Sequence, residues 1–535
     1  MAVLKNSLIV AVWTMASRGL GFARDLMIAN KLGAGPAADA FFIALMLPNL
    51  LRRLFGEGAF NVAFVPILAR HKGKSDAEAL AFASAAFSWL LLVVTVVTIL
   101  GMVAMPALIA VLASGWMDNP EKFALAVHLG RITFPYLGLI TMAAFLGAMC
   151  NTWGKFSAYA MVPALLNISI LACLFGLPGL GTAPAEAAAW AVPLGGIGQA
   201  AYMLWAARRL GIRLRLAWLP RHTDLKTLLL RLGPATIGVG VLQLSILVDN
   251  QVASFLPSGA ISYLQYANRF YQLPLALIGI AVATVLLPHL AVLMGQGDRR
   301  AATQSFTAAL GGCMALAMGS CVAMFLLAPE MMHVLLKHGE LTSFAANAVA
   351  WAMMGYVAGL PGYILTKVTA PAFFAAEDPM SPVKAGLAAL GVNFVLNVVF
   401  VVVAYQLGLE HIAHVGIAVA TAIGGYVNAA LQWRWLHQRG ALDLDRALFA
   451  RELLTMTAIA AAMAATLLAY KLLWPYPTEA GLVLRLLWLA IAFVVGGSVF
   501  AAGLEYTGLL KLRSLLRALR SRRARRTPAT ADENL

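Results

Sequence analysis

Residues 37–69 read AADAFFIALMLPNLLRRLFGEGAFNVAFVPILA, a mostly apolar run that contains four charged residues. A run of this length can cross the roughly 30 Å hydrocarbon core of a bilayer as a helix. Charged side chains are costly inside a membrane and commonly mark a transport pathway. The charges here are Asp39, Arg52, Arg53 and Glu57. The stretch therefore predicts a membrane-spanning helix that has a function beyond anchoring.

The whole chain repeats this apolar character. Of its 535 residues, 61% are hydrophobic and 12% are charged, whereas soluble domains carry about 25% charged residues. The hydropathy pattern predicts an all-α polytopic membrane protein with about 14 spans. The net charge of +16 falls mostly in alternate loops and in the C-terminal tail. By the positive-inside rule, both termini are expected in the cytoplasm.

Two regions of the sequence resemble each other. Residues 37–69 end in VPILA, and residues 260–291, AISYLQYANRFYQLPLALIGIAVATVLLPHLA, end in LPHLA. An even number of predicted spans separates the copies, so the two halves are expected to have parallel orientation. Transporters are commonly built from such repeats, with the substrate bound near the midplane. The predicted organisation is an N-lobe at 1–215, a C-lobe at 216–440, two further spans at 441–510, and a basic tail at 511–535.

Arginines inside the spans indicate the chemistry of the substrate. Arginine suits a diphosphate because its planar guanidinium donates two parallel hydrogen bonds and stays charged. A shared water-filled cavity between the lobes is therefore predicted to take an anionic substrate. The arginines expected to face it are Arg18, Arg24, Arg52 and Arg269. Arg53 is four residues before Glu57, and the two are expected to form a structural pair.

A second polar group is predicted in the C-lobe. Asp249 is acidic in mid-span, Asn393 and Asn397 share one helical face, and Thr421 lies in the next span. Oxygen ligands of this kind suit a hard cation such as sodium. The alternative is that the asparagines only form hydrogen bonds between helices.

The sequence contains no catalytic or nucleotide-binding motif, which favours a transporter over an enzyme. No cofactor is expected, so the energy source would be a sodium gradient or the membrane potential. The basic tail is expected to rest on anionic membrane lipids and not on nucleic acid.

Specific stretches resemble a known family. They are SRGLGFARD at 17–25, residues 33–68, NTWGKFSAYAMVPALLNISI at 151–170 and GPATIGV at 233–239. The chain resembles the MurJ (MviN-type) lipid II flippases of the multidrug/oligosaccharidyl-lipid/polysaccharide exporter superfamily. The resemblance implies 14 spans in the inner membrane. It also implies transfer of an undecaprenyl-pyrophosphate-linked peptidoglycan precursor to the periplasmic face by alternating access.

The resemblance also implies roles for single residues. The four arginines match positions thought to hold the pyrophosphate, and Asp39 matches an essential acidic position. The last two spans match those that form a groove for the lipid tail. Some members bind sodium at positions matching Asp249, Asn393, Asn397 and Thr421. Asn397 stands where sodium-binding members can carry an aspartate.

Other functions remain open at this point. A multidrug/cation antiporter of the same superfamily usually has 12 spans and an acidic cavity, which the arginines disfavour. A polysaccharide-unit flippase would differ mainly in the headgroup, and a scaffold for cell-wall enzymes would need no buried charge. The expected partners are lipid II, membrane lipids and cell-wall synthesis proteins, and the chain is expected to be a monomer.

Overall fold

The structure is a computed structural model that describes residues 2–52, 59–218, 220, 222–230, 232, 243–440, 442 and 445–510. Within those ranges all regular secondary structure is helical. The predicted pair Arg53–Glu57 and the predicted tail at 511–535 lie outside the described residues.

The first predicted lobe contains long helices and several short ones. They are Ala2–Leu32, Pro36–Arg52, Ala59–Lys72, Asp76–Val103, Met105–Leu112, Pro120–Thr133, Tyr136–Thr152, Ser157–Ala160, Val162–Gly176 and Pro184–Arg209. Several begin at a proline, whose fixed φ and missing N–H suit the first turn of a helix. Residues 211–218 then run without regular structure, and residues 223–230 are helical.

The remaining helices continue the same pattern. They are Leu244–Ala253, Ala260–Pro274, Ala281–Gly295, Arg299–Leu326, Ala328–Leu335, Ser343–Ala358, Leu360–Ala375, Met380–Gln406, Ala413–Gln438, Arg446–Leu473 and Leu482–Tyr506. A π-helix over Leu275–Ile280 joins Ala260–Pro274 to Ala281–Gly295. It follows Pro274, which cannot donate a backbone hydrogen bond and so disturbs the regular α-helical ladder.

The prediction of an all-α polytopic membrane protein is confirmed. Among the described residues, nine helices are long and apolar enough to cross a bilayer. The pair Ser343–Ala358 and Leu360–Ala375, bent by 41° at its break, would make ten. The remaining four predicted spans are the first, second, sixth and seventh, which the hydropathy pattern puts at 8–31, 37–69, 186–206 and 227–254 of the sequence. Helices Ala2–Leu32, Pro36–Arg52 with Ala59–Lys72, Pro184–Arg209 and Leu244–Ala253 occupy their positions, which is consistent with about 14 spans.

The chain divides into two compact units. The first unit comprises Met1–Tyr266, Leu335–Val349 and Phe394–Ile417, and the second comprises Ala267–Val334, Ala350–Asn393 and Ala418–Leu535. The first unit buries large aromatic side chains, among them Phe41, Phe64 and Tyr136, and the second buries Phe306, Phe373 and Trp488. The lobes at 1–215 and 216–440 were predicted from the sequence repeat and stay a prediction.

Small residues allow close helix packing inside the first unit. A Cβ atom added at Gly195 or Gly196 would lie 2.9 Å from the side chain of Leu166 or Tyr136, respectively. Glycine therefore lets the helix Pro184–Arg209 approach its neighbours more closely than any other residue would. This is the usual mode of association of membrane helices, which lack a hydrophobic driving force for packing in lipid.

Candidate functional site: an arginine-bearing helix and a buried aspartate

Arg24 is held in place on the first helix, Ala2–Leu32. Its Nε and Nη2 donate to Asp25 Oδ1 at 3.0 and 2.7 Å, and its Nη1 donates to Asn167 Oδ1 at 2.9 Å. The Arg24 and Asp25 side chains are 14% and 17% exposed. The predicted cavity arginine is thus pre-oriented by one carboxylate and one amide, and both contacts are charge-assisted hydrogen bonds.

Asn167 is a site residue that the sequence did not single out. Its Nδ2 donates to the carbonyl of Ser17 at 3.0 Å, while its Oδ1 accepts from Arg24. A Cβ atom at Gly21 would lie 3.4 Å from Asn167 Nδ2, an ordinary van der Waals distance, so the two helices pack against each other here. The one available signal was a buried amide inside the apolar stretch at 162–174, VPALLNISILACL.

The other predicted arginines are placed on three helices. Arg18 is exposed on the first helix, and Arg52 is half-buried at the end of Pro36–Arg52. Arg269 is half-buried on Ala260–Pro274 and belongs to the second unit, whereas the other three belong to the first. The predicted convergence of all four on one substrate stays a prediction.

Asp39 is almost completely buried, and its carboxylate accepts several hydrogen bonds. Oδ2 accepts from Lys122 Nζ and from the backbone N–H of Gly259, both at 2.8 Å. Oδ1 accepts from the N–H and the hydroxyl of Ser262 at 2.8 and 2.6 Å. Gly259 and Ser262 lie at the N-terminus of the helix Ala260–Pro274, where the helix dipole and the first N–H groups favour an anion.

Lys122 supplies the charge that balances Asp39. Its side chain is 4% exposed, its Nζ lies 3.3 Å from Ser258 Oγ, and it sits 4.3 Å from the centre of the Trp116 ring. The sequence alone does not single out Lys122 as a partner of Asp39. We call Asp39, Lys122, Gly259 and Ser262 the Asp39 cluster. The predicted role of Asp39 in substrate binding stays a prediction, and these contacts show that it joins three helices in this conformation.

Further contacts tie the end of the first helix to the same part of the first unit. The hydroxyl of Tyr266 donates to the carbonyl of Gly33 at 2.8 Å, and the N–H of Glu340 donates to the carbonyl of Asn30 at 2.9 Å. Gly33 has a φ of +63°, and a Cβ atom there would lie 2.7 Å from the carbonyl oxygen of Glu340. Only glycine fits this position, for reasons of both backbone conformation and space.

The predicted cation ligands form two pairs. In the first unit, Asn397 Nδ2 donates to Asp249 Oδ1 at 2.7 Å. In the second unit, Asn393 Nδ2 donates to Thr421 Oγ1 at 3.1 Å. Each amide directs its N–H₂ group to the neighbouring oxygen. These contacts match the alternative of hydrogen bonds between helices, and a cation held by all four residues stays a prediction.

The second unit contains an apolar cavity of about 540 Å³. Five helices contribute to its wall: Ala260–Pro274, Arg299–Leu326, Ala328–Leu335, Arg446–Leu473 and Leu482–Tyr506. The lining residues include Phe270, Leu316, Met324, Met463, Phe493 and Phe500. A cavity with this lining suits a hydrocarbon chain. The last two helices, predicted to form the lipid-tail groove, both contribute to it.

The chain matches one protein family over most of its length. The family model described as "Lipid II flippase MurJ" matches residues 28–492. The "Probable lipid II flippase MurJ" of Vibrio cholerae serotype O1 is 37% identical over 495 residues, covering 89% of this chain and 90% of the relative. The "Lipid II flippase MurJ" of Burkholderia cenocepacia is 36% identical over 449 residues, covering 82% and 85%.

Solved structures agree with the sequence relatives. A structure titled "Lipid II flippase MurJ, inward closed conformation" superposes with a TM-score of 0.76 at 26% identity, covering 93% of this chain and 99% of that one. An inward-facing multidrug-resistance transporter of the MATE family superposes with a TM-score of 0.65 over 81% of this chain and 97% of that one. Its identity of 16% shows a shared fold alone. The chain therefore belongs to the lipid II flippase MurJ family.

Proposed function

We propose that this protein translocates lipid II, the undecaprenyl-pyrophosphate-linked precursor of peptidoglycan, from the cytoplasmic to the periplasmic face of the inner membrane. The observation that carries the proposal is the family match over residues 28–492. The chain is multi-pass. The proposal includes three further points: both termini lie in the cytoplasm, the protein acts as a transporter and not as an enzyme, and it is a monomer.

The headgroup diphosphate is proposed to bind Arg18, Arg24, Arg52 and Arg269. Arg24 supports this role because it is already oriented by Asp25 and Asn167 before any substrate arrives. Pre-orientation lowers the entropy lost on binding, which otherwise subtracts from affinity. Asn167 would keep its hydrogen bond with Arg24 Nη1, while a diphosphate oxygen would replace Asp25 as the acceptor of Nε and Nη2. The exposed Arg18 lies on the same helix and would be reached from the same aqueous side.

Alternating access requires that one side of the path be sealed while the other is open. The Asp39 cluster supports a seal because its ion pair and backbone contacts are buried and join parts of the chain that are distant in sequence. We propose that opening on this side breaks these contacts. For release of the headgroup, affinity must also fall in the outward-open state, since a ligand shifts only an equilibrium whose states it distinguishes.

The prenyl tail is proposed to use the apolar cavity of the second unit. Gly319 and Gly497 line this cavity, where larger side chains would occupy its volume. The energy source is proposed to be the membrane potential or a sodium gradient. Sodium use would involve Asp249, Asn393, Asn397 and Thr421, whose oxygens are of the type that binds hard cations.

The test replaces Arg18, Arg24, Arg52 and Arg269 singly by alanine in cells depleted of their own flippase. Lipid II at the outer face, growth and the amount of protein in the membrane are then measured. Arg131→Ala is a matched control, because Arg131 is an exposed arginine on a membrane helix whose Nε donates to the Met102 carbonyl. We expect loss of transport in the four variants and not in the control. Full transport in all four, at normal protein level, would contradict the proposal.

A further inference from the structure

A group of histidines and carboxylates lies away from the arginines and the Asp39 cluster. His71 is near the end of the helix Ala59–Lys72, and Glu78 lies in the first turn of Asp76–Val103. His222 and Asp224 come from the segment that follows residues 211–218. All of these residues belong to the first unit, and the predicted topology places them on the cytoplasmic side.

The geometry brings three ligand atoms together. One nitrogen each of His71 and His222 and one oxygen of Asp224 all lie within 4.8 Å of one another. His71 Nε2 is 2.8 Å from Asp224 Oδ2. His222 Nδ1 accepts the N–H of Asp224 at 3.2 Å, which leaves His222 Nε2 available for a further ligand.

His71 is the buried member of the group. Its side chain is 8% exposed, and its Nδ1 makes no hydrogen bond. The nearest carboxylate oxygen, Glu78 Oε2, lies 3.5 Å away, which is longer than a normal N–H···O hydrogen bond. His71 Nε2 is therefore the ring nitrogen that faces Asp224 and could bind a metal ion, whereas Nδ1 faces Glu78.

We propose that His71, His222 and Asp224 form a binding site for a divalent transition-metal ion of the zinc type. Imidazole nitrogen and carboxylate oxygen are zinc ligands, at about 2.0–2.2 Å, and three protein ligands leave a fourth position for water. Tetrahedral geometry at those bond lengths needs about 3.3 Å between neighbouring ligand atoms. His71 Nε2 and Asp224 Oδ2 would thus separate by about half an ångström.

Arg70 completes the surroundings of the site. Its Nη2 donates to Asp224 Oδ1 at 2.8 Å, so it engages the carboxylate oxygen opposite to the one proposed to bind the metal. A hydrogen bond to a ligating carboxylate orients the ligand, as outer-shell residues do in known metal sites. Burial lowers the pKa of His222. Burial alone would raise the pKa of Asp224, but hydrogen bonds from Arg70 and His71 lower it below its ordinary value.

The site would fix a particular segment of chain. The N–H groups of Arg215 and Ala217 donate to Ser84 Oγ and Ser88 Oγ at 3.1 and 3.2 Å. Trp89 Nε1 donates to the carbonyl of Pro220 at 3.0 Å. Residues 215, 217 and 220 therefore contact the helix Asp76–Val103, and a metal ion at His222 would strengthen this attachment.

The experiment uses the full-length protein, purified in detergent with a histidine-free tag and stripped by a chelator. Zinc chloride is added, unbound zinc is removed, and zinc per chain is measured by mass spectrometry. Cobalt is used in parallel, because a tetrahedral site gives it a visible absorption band. We expect one ion per chain, and at least a tenfold loss of affinity in His222→Ala and Asp224→Asn, a loss in the range of metal-site mutations.

His289→Ala is the matched control, since His289 is also a histidine near a helix end but contacts Ser305 instead of this group. Trypsin cleavage at Arg213 and Arg215 gives a second readout that does not depend on transport. Zinc should slow this cleavage in the unchanged protein and leave it unaltered in His222→Ala. Absence of stoichiometric zinc at micromolar concentration, or equal binding in His222→Ala and in the unchanged protein, would overturn the proposal in favour of a self-contained ion-pair group.

Discussion

Lys122 Nζ and Asp39 Oδ2 lie 2.8 Å apart, in an ion pair whose side chains are 4% and 1% exposed. Such a pair adds little net stability, because both charges have lost their hydration. Removing only one partner is far more costly, about 3–5 kcal/mol, since it leaves an uncompensated buried charge. The conformation that contains this ion pair is therefore sensitive to the substitution of either Lys122 or Asp39 alone.

The first prediction concerns the Asp39 cluster. In a chain carrying Ala260→Cys, the buried position 260 should be modified slowly by a membrane-impermeant maleimide applied from outside. Lys122→Met should accelerate this modification by about tenfold or more, which corresponds to roughly 1.4 kcal/mol of lost seal stability. Glu121→Gln, a neighbouring exposed change, is the control. An unchanged labelling rate in Lys122→Met would show that the pair does not seal this side.

The second prediction concerns Asn167, which orients Arg24. Asn167→Ala removes both the acceptor for Arg24 Nη1 and the donor to the Ser17 carbonyl, so outer-face lipid II should fall several-fold at normal protein level. Ser169→Ala removes a hydrogen bond to the Ala191 carbonyl from the same helix without touching Arg24, and it should leave transport nearly unchanged. Equal effects of the two changes would assign Asn167 a purely structural role.

The third prediction concerns the apolar cavity. A Cβ atom at Gly497 meets no atom within 4 Å, so Gly497→Phe should fold normally while its ring fills part of the cavity. Transport should fall, because the volume proposed for the lipid tail is occupied. Gly198→Phe is the control, because Gly198 also meets open space but is exposed on Pro184–Arg209 in the first unit and does not line the cavity. Similar transport in both variants would show that the cavity is not needed for transport.

The fourth prediction concerns coupling to sodium. Asn397 Nδ2 donates to Asp249 Oδ1 at 2.7 Å, and Asn397→Asp replaces this amide by a second carboxylate. Carboxylate number raises the affinity of an oxygen site for a hard cation. Sodium should therefore stabilise Asn397→Asp against heat more strongly than it stabilises the unchanged protein, with potassium as the control ion. Equal stabilisation of Asn397→Asp and the unchanged protein by sodium would show that sodium does not bind at this position.

The helical membrane fold was predictable from the sequence, because helices that contact lipid need long apolar runs, and such runs are visible in the sequence. Arg24 was also predictable, since a charge within an apolar helix is conspicuous. Its partner Asn167 was not, because an amide in an apolar span equally suits ordinary helix packing. Asp39 was predicted as a functional acid, but its partner Lys122 is 83 positions away in the chain. Only the folded chain shows that they pair.

A second group of contacts that the sequence does not reveal consists of His71, His222 and Asp224. Metal sites are recognised in sequences by short ligand spacings, and here only His222 and Asp224 are close in sequence, whereas His71 belongs to a distant segment. The change from α-helix to π-helix after Pro274 was partly predictable, since proline cannot donate the backbone hydrogen bond that a regular α-helix needs. The π-helical geometry that follows it depends on how the neighbouring turns repack.

The π-helix Leu275–Ile280 has a consequence for how this chain tolerates changes in length. A π-turn holds about one residue more than the 3.6 residues of an α-turn. Deleting one residue there would restore regular α-helix and keep the faces of Ala260–Pro274 and Ala281–Gly295 in register. The same deletion within Ala281–Gly295 would rotate every later side chain of that helix by about 100°. Homologues that differ by one residue in this span are therefore best aligned with the gap in the π-turn.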